Sequence, residues 1–82
     1  MIRILYFASL RERLGRAEET LDAVPADVAT LRTELVARGE PWATAFAPQQ
    51  RVLVAINQAM VDADSPLSDG DEVGFFPPVT GG

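Results

Sequence analysis

Eighty-two residues with a net charge of −5 and no cysteine, histidine or lysine make one small domain whose seven basic side chains are all arginine. At 48% hydrophobic the chain can build a packed core, but it lacks the commonest general base, the thiol nucleophile and the Schiff-base amine, which argues against a self-sufficient enzyme. The acidic balance, with no basic stripe interleaved with aromatics, argues equally against nucleic acid as a partner.

The segment "IRILYFA" at 2–8 is β-branched and aromatic and predicts a strand. Ile2, Ile4 and Tyr6 share one face; Arg3, Leu5 and Phe7 share the other, which Arg3 marks as the wetter one. In "SLRERLG", Ser9 with Glu12 makes a capping-box pattern, Leu10 and Leu14 lie on one helical face, and Gly15 can close the turn, so a short helix is expected over 9–14. "AEETLDAV" at 17–24 alternates weakly and fits a second strand.

The clearest helix is "PADVATLRTELVARG". Asp27 serves as N-cap, Val28, Leu31, Leu35 and Val36 form an apolar stripe, and Gly39 falls at C′. Glu34 precedes Arg38 in the favourable order for a helical ion pair. In "EPWATAFAP", Pro41 suits N1, Trp42, Ala45 and Phe46 cover one side, and Pro48 stops a further short helix. "RVLVAIN" at 51–57 is apolar on both faces, as a central strand is, and Asn57 with Gln58 turns the chain into "AMV". "DADSPLSDGDEV" is loop chemistry, in which DGDE reads as a hairpin turn, not a metal site. "EVGFFP" is the last strand, with Val73 and Phe75 on one face, Gly74 and Phe76 on the other, and Pro77 and Pro78 ending it. Strands on both sides of one dominant helix give an α+β fold, a mixed sheet curled around that helix. Trp42, Phe46, Leu31, Leu35 and Phe75 are assigned to the core. No apolar run reaches the length of a membrane span and the N-terminus lacks a signal-peptide layout, so a cytoplasmic location away from membrane is expected.

Past Phe76 come Pro77, Pro78, Val79, Thr80, Gly81 and Gly82, which divide the chain into a domain at 1–76 and a tail at 77–82. Six extended residues span about 20 Å. The prolines stiffen the exit and direct the tail outward, and two residues without Cβ let the terminal carboxylate enter a channel too narrow for other residues. One reading makes this tail the reactive group; the other makes it a frayed end after prolines that only terminate a strand.

"LYFASLRERLG", "INQAMV" and "PLSDGDEVGFFPPVTGG" resemble the ubiquitin-like β-grasp sulfur carriers over the whole chain, and in particular the small, MoaD-like subunit of molybdopterin synthase. The resemblance implies that an E1-like activating enzyme adenylates Gly82 with ATP, and that a sulfur donor system then replaces AMP to leave a C-terminal thiocarboxylate. The tail next enters the large synthase subunit, where sulfur passes to cyclic pyranopterin monophosphate to build the dithiolene of molybdopterin. No cofactor is held tightly, the small subunit has no catalytic side chain of its own, and the heterodimer pairs into a heterotetramer. Phe7, Met60 and Phe76, with Arg11, fall on the docking surface for both partners under the same resemblance. Ordinary sheet packing for the aromatics and a solvated helix charge for Arg11 are the competing readings.

An acidic chain offers little to a substrate phosphate, so the basic substrate pocket is expected on the large subunit. Without lysine an activated Gly82 meets no side-chain amine of its own chain, although a compositional preference for arginine explains the absence better. Rival functions are a carrier for thiazole or tRNA thiolation, a ubiquitin-like protein modifier, and a passive interaction module.

Overall fold

A computed structural model describes residues 1–78; the tail calls on Val79, Thr80, Gly81 and Gly82 lie outside the described residues. In chain order the elements are β1 (Ile2–Tyr6), α1 (Ala8–Leu14), β2 (Glu18–Leu21), α2 (Val28–Val36), α3 (Trp42–Ala45), β3 (Leu53–Ile56), β4 (Ala59–Val61) and β5 (Glu72–Phe76). The strands form one sheet in the order β2-β1-β5-β3-β4, in which β1 and β5 are parallel and the other pairs antiparallel. This is the mixed sheet expected from the sequence, and the architecture is the ubiquitin-like β-grasp.

One face of the sheet carries the core. Ile2, Ile4 and Tyr6 from β1, Val54 from β3, and Val73 and Phe75 from β5 meet Leu10 and Leu14 of α1, Val28, Leu31 and Leu35 of α2, and Ala45 and Phe46 at α3. Fully burying one such large side chain contributes about 1.5–3 kcal/mol. Phe46 and Phe75 pack edge to face with centroids 5.0 Å apart, which locks α3 to the central strand. Arg32 clamps the chain after α3, donating from Nε to the Phe46 carbonyl (2.9 Å) and from Nη2 to those of Ala47 (2.8 Å) and Gln50 (2.6 Å).

A polar lock closes the β2 side. The Glu19 carboxylate accepts the Tyr6 hydroxyl at 2.6 Å and both Arg38 Nη atoms at 2.8 Å, with Arg16 at 3.7 Å. Arg16 and Arg38 also sit over the Trp42 ring, 5.4 and 5.1 Å from its centroid. Burial and the bond to Glu19 push the Tyr6 hydroxyl well above the ordinary phenol range. Burial by itself raises Glu19, but the bonds from Arg38 and Tyr6 and the neighbouring arginine charges outweigh it and hold the carboxyl below its usual value.

Several expectations are corrected. The capping box does not form: β1 pairing continues to Phe7, whose N–H reaches the Phe75 carbonyl at 3.1 Å, so Phe7 caps α1 and Ser9 already lies inside it. Arg38 turns away from Glu34 to Glu19, where a tertiary bidentate pair outcompetes a solvated helical one. Helix α2 ends at Val36 with Ala37 as C-cap, which puts Gly39 one place beyond C′; Pro41 is the N-cap of α3 and not N1. The strands at 17–24 and 51–57 shorten to Glu18–Leu21 and Leu53–Ile56.

Trp42 is only half-buried at the rim of the core, because its ring faces two guanidinium groups. Strand β3 is interior as expected, paired with β4 on one side and β5 on the other, while β5, inserted between β1 and β3, is the middle strand of the five. Consequently DGDE is a turn leading into β5 but joins no hairpin, because β4 and β5 are not neighbours. The Asn57–Gln58 turn is present, with φ of 50° and 71° as a two-residue hairpin loop requires, and "AMV" forms the extra strand β4.

Candidate functional site

The face of the sheet turned away from the core is apolar along one continuous row. Registration sets Leu5 beside Gly74, Gly74 beside Ala55 and Ala55 beside Met60, while Phe76 lies beside Leu53. At the end of β1, Phe7 is 46% exposed, and Met60 on β4 is 59% exposed, which makes both large apolar side chains available to a partner. Phe7 meets Phe76 edge to face at 6.3 Å, so two of the residues singled out from the sequence touch each other. A shallow hollow of about 110 Å³ lies between Leu5, Phe7, Ala55, Gln58, Glu72 and Gly74.

Gly74 shapes that hollow. It is buried beneath Phe7, and a Cβ built on it stands 3.0 Å from Phe7 Cε2, so the ring rests where a side chain would project. Phe7 itself is aimed by the break between β1 and α1. The chain turns through Ala8 at φ 52°, and the Phe7 carbonyl takes the Leu10 N–H at 3.1 Å. Leu5, Leu53, Ala55 and Gly74 complete the patch that the sequence reading built from Phe7, Met60 and Phe76. Their signal was the strand alternation that places Leu5 with Phe7 and Gly74 with Phe76, but no alternation tells which strand becomes whose neighbour.

Arg11 is exposed on α1. Pro77 and Pro78, the start of the tail, are half-buried and rest over a second hollow lined by Leu10, Arg13, Ala45, Gln50, Arg51 and Val52. The central strand therefore delivers the chain at the end of the sheet that carries the Phe7–Phe76 pair. Among the described residues no group of three acidic side chains is placed to hold a metal ion, and no helix is long and apolar enough to cross a membrane. A groove against α2 and Pro48, lined also by Phe46 and Ala63, presents one cationic side chain, Arg32, already committed to three carbonyls.

The sheet order β2-β1-β5-β3-β4, with Phe7 and Met60 exposed on the outer face, defines a small protein of the ubiquitin-like β-grasp class. The chain belongs to the ThiS family, whose model matches residues 4–82. It is 45% identical to the molybdopterin synthase sulfur carrier subunit of Escherichia coli and 40% identical to that of Haemophilus influenzae, in each case over the whole of both chains. Among solved structures it is similar to a putative molybdopterin converting factor subunit 1 from Pyrococcus furiosus, with a TM-score of 0.76, 31% identity, and coverage of 95% of this chain and 97% of that one.

Proposed function

We propose that this chain is a sulfur carrier of molybdenum cofactor biosynthesis, acting as the small subunit of molybdopterin synthase, with the terminal carboxylate of Gly82 as its working group. The observation that carries this reading is the placement of the tail root: β5 delivers Pro77 and Pro78 beside half-buried Phe76 and the exposed Phe7 that packs on it, so one partner can grip the outer face and receive the tail. The full-length likeness to two carrier subunits supports it over a thiazole carrier, and over a protein modifier.

A terminal carboxylate, with a pKa near 3.3–3.7, is ionised and inert at neutral pH. ATP attacked at its α-phosphorus by that carboxylate yields the acyl adenylate and pyrophosphate on an activating enzyme. A sulfur donor then displaces AMP, and the bond from carbon to sulfur gives an anionic thiocarboxylate, a soft nucleophile that no side chain of this protein supplies. In the large subunit sulfur passes to cyclic pyranopterin monophosphate, and hydrolysis of the acyl link returns Gly82. The chain holds no cofactor tightly in this scheme, and the cation that meets the substrate phosphate belongs to the large subunit.

The test uses the absence of cysteine. The protein is incubated with a cognate activating enzyme, ATP and a sulfur source, treated with a thiol alkylator, and read by intact mass beside a Gly82-deleted control. One adduct on the full-length chain alone is expected. No adduct with a demonstrably active enzyme and donor overturns the carrier reading.

A further inference from the structure

The seven arginines are not used alike. Arg3 pairs with Glu18, Arg16 and Arg38 share Glu19, and Arg32 binds backbone carbonyls. Among the described residues Arg11, Arg13 and Arg51 have no carboxylate within 4.0 Å. Two of these three, Arg13 and Arg51, line the hollow under Pro77 and Pro78. Both are exposed, while its floor contains Leu10 and Ala45, which are 3% and 1% exposed. Glu40 feels Arg13 only as the weakest of its influences and is occupied by the N–H and hydroxyl of Thr44.

Three of the twelve acidic residues cluster far from this hollow. Asp69, Asp71 and Glu72 lie around the start of β5, at the end of the sheet opposite the tail root, where Asp69 meets the N-terminal ammonium. A chain with net charge −5 thus keeps beside its exit two guanidinium groups that no carboxylate among the described residues pairs with.

We infer that this arginine-flanked hollow receives an acidic side chain of the large synthase subunit, at the mouth of the channel that takes the tail. The hollow is about 260 Å³, below the ~300–1,000 Å³ of small-molecule sites, and its apolar floor under two cations suits the stem and carboxylate of one glutamate or aspartate. A guanidinium offers a carboxylate paired donors, and opposite charge at the rim of an interface speeds encounter and fixes register. Because the site adjoins Pro77 and Pro78, a carboxylate seated there sets the angle at which the tail enters its partner. This deepens the carrier reading and rests on the partnership proposed above.

The experiment measures affinity for the purified large subunit by calorimetry at low and at moderate salt. The proteins compared are wild type, Arg13→Gln, Arg51→Gln, their double variant, and a control, Ala23→Glu with Ala26→Glu, which makes the same change of −2 in net charge near the end of β2 away from the tail root. Circular dichroism and thermal melts check that each variant folds. The double variant is expected to bind at least about tenfold more weakly at low salt, with the deficit shrinking as salt rises, while the control stays within about twofold of wild type. Unchanged affinity of a folded double variant, or equal loss in the control, overturns the inference. Wild type that gains the thiocarboxylate and binds the large subunit isolates such a failure from the carrier reading. Wild type that forms no adduct and binds no large subunit overturns both.

Discussion

Replacing Glu19 with alanine removes the centre of the lock that joins β1, β2 and the turn after α2. Tyr6 is 1% exposed, so its hydroxyl loses an acceptor at 2.6 Å and has little access to water. Stranding such a group costs about 1–3 kcal/mol. The Arg38 side chain is 30% exposed and can turn to solvent, which limits the lost ion pair to about 1 kcal/mol. The sum, about 2–4 kcal/mol, is a large part of the ~4–12 kcal/mol expected of a domain this size. Thermal unfolding followed by circular dichroism should show the midpoint fall by about 10–30 °C. A cycle with Tyr6→Phe should give a coupling of about 1–2 kcal/mol, because either change alone breaks the same bond. Since Glu19 titrates below its unfolded value, its contribution is fully present above about pH 4.3 and is lost as pH falls through the folded pKa. Glu19→Ala should therefore flatten that part of the acid limb. A loss under about 1 kcal/mol, or additivity with Tyr6→Phe, refutes the assignment of the lock.

Phe7→Ala should leave stability within about 1 kcal/mol, yet weaken binding to the large subunit by about 30-fold or more, as loss of an exposed aromatic anchor does; equal affinity by calorimetry would remove Phe7 from the docking face. Gly74→Val places a side chain where Phe7 Cε2 lies 3.0 Å away, so the ring is displaced. The fold should survive while NMR shifts of the Phe7 ring move and affinity drops about tenfold, or 1.4 kcal/mol; an unmoved ring contradicts the contact. Asn57→Ala forces alanine to φ 50° and deletes the bonds to Asp71 and the Glu72 N–H, both 3.0 Å. Urea unfolding at constant slope should report a loss of about 1–2 kcal/mol, and less than 0.5 kcal/mol would show that the turn does not depend on this residue.

Local chemistry was legible in the sequence wherever it acts over a few residues. The alternation of β1 and β5 separated core from outer face, Asp27 capped α2 through the Thr30 N–H at 2.8 Å, and Asn57 with Gln58 made the tight turn. The Gly-Gly ending, which the sequence left open between a working terminus and a frayed end, lies outside the described residues. Local rules failed where a distant group offered a better partner: β5 pairing carried β1 through Phe7 and displaced the Ser9 cap, and Glu19 drew Arg38 away from Glu34.

Strand neighbourhood was beyond any local rule. Insertion of β5 between β1 and β3 brings Leu5, Gly74, Ala55 and Met60 into one row from four strands, and it sets Arg13 and Arg51 around the tail root. Periodicity assigns a side chain to a face because the pleat repeats within a strand, whereas adjacency between strands is decided by the packing of the whole core against the helices. The sequence by itself therefore determined which residues face outward and what chemistry they lack; only the tertiary structure decided that those outward residues form one surface beside the exit of the tail.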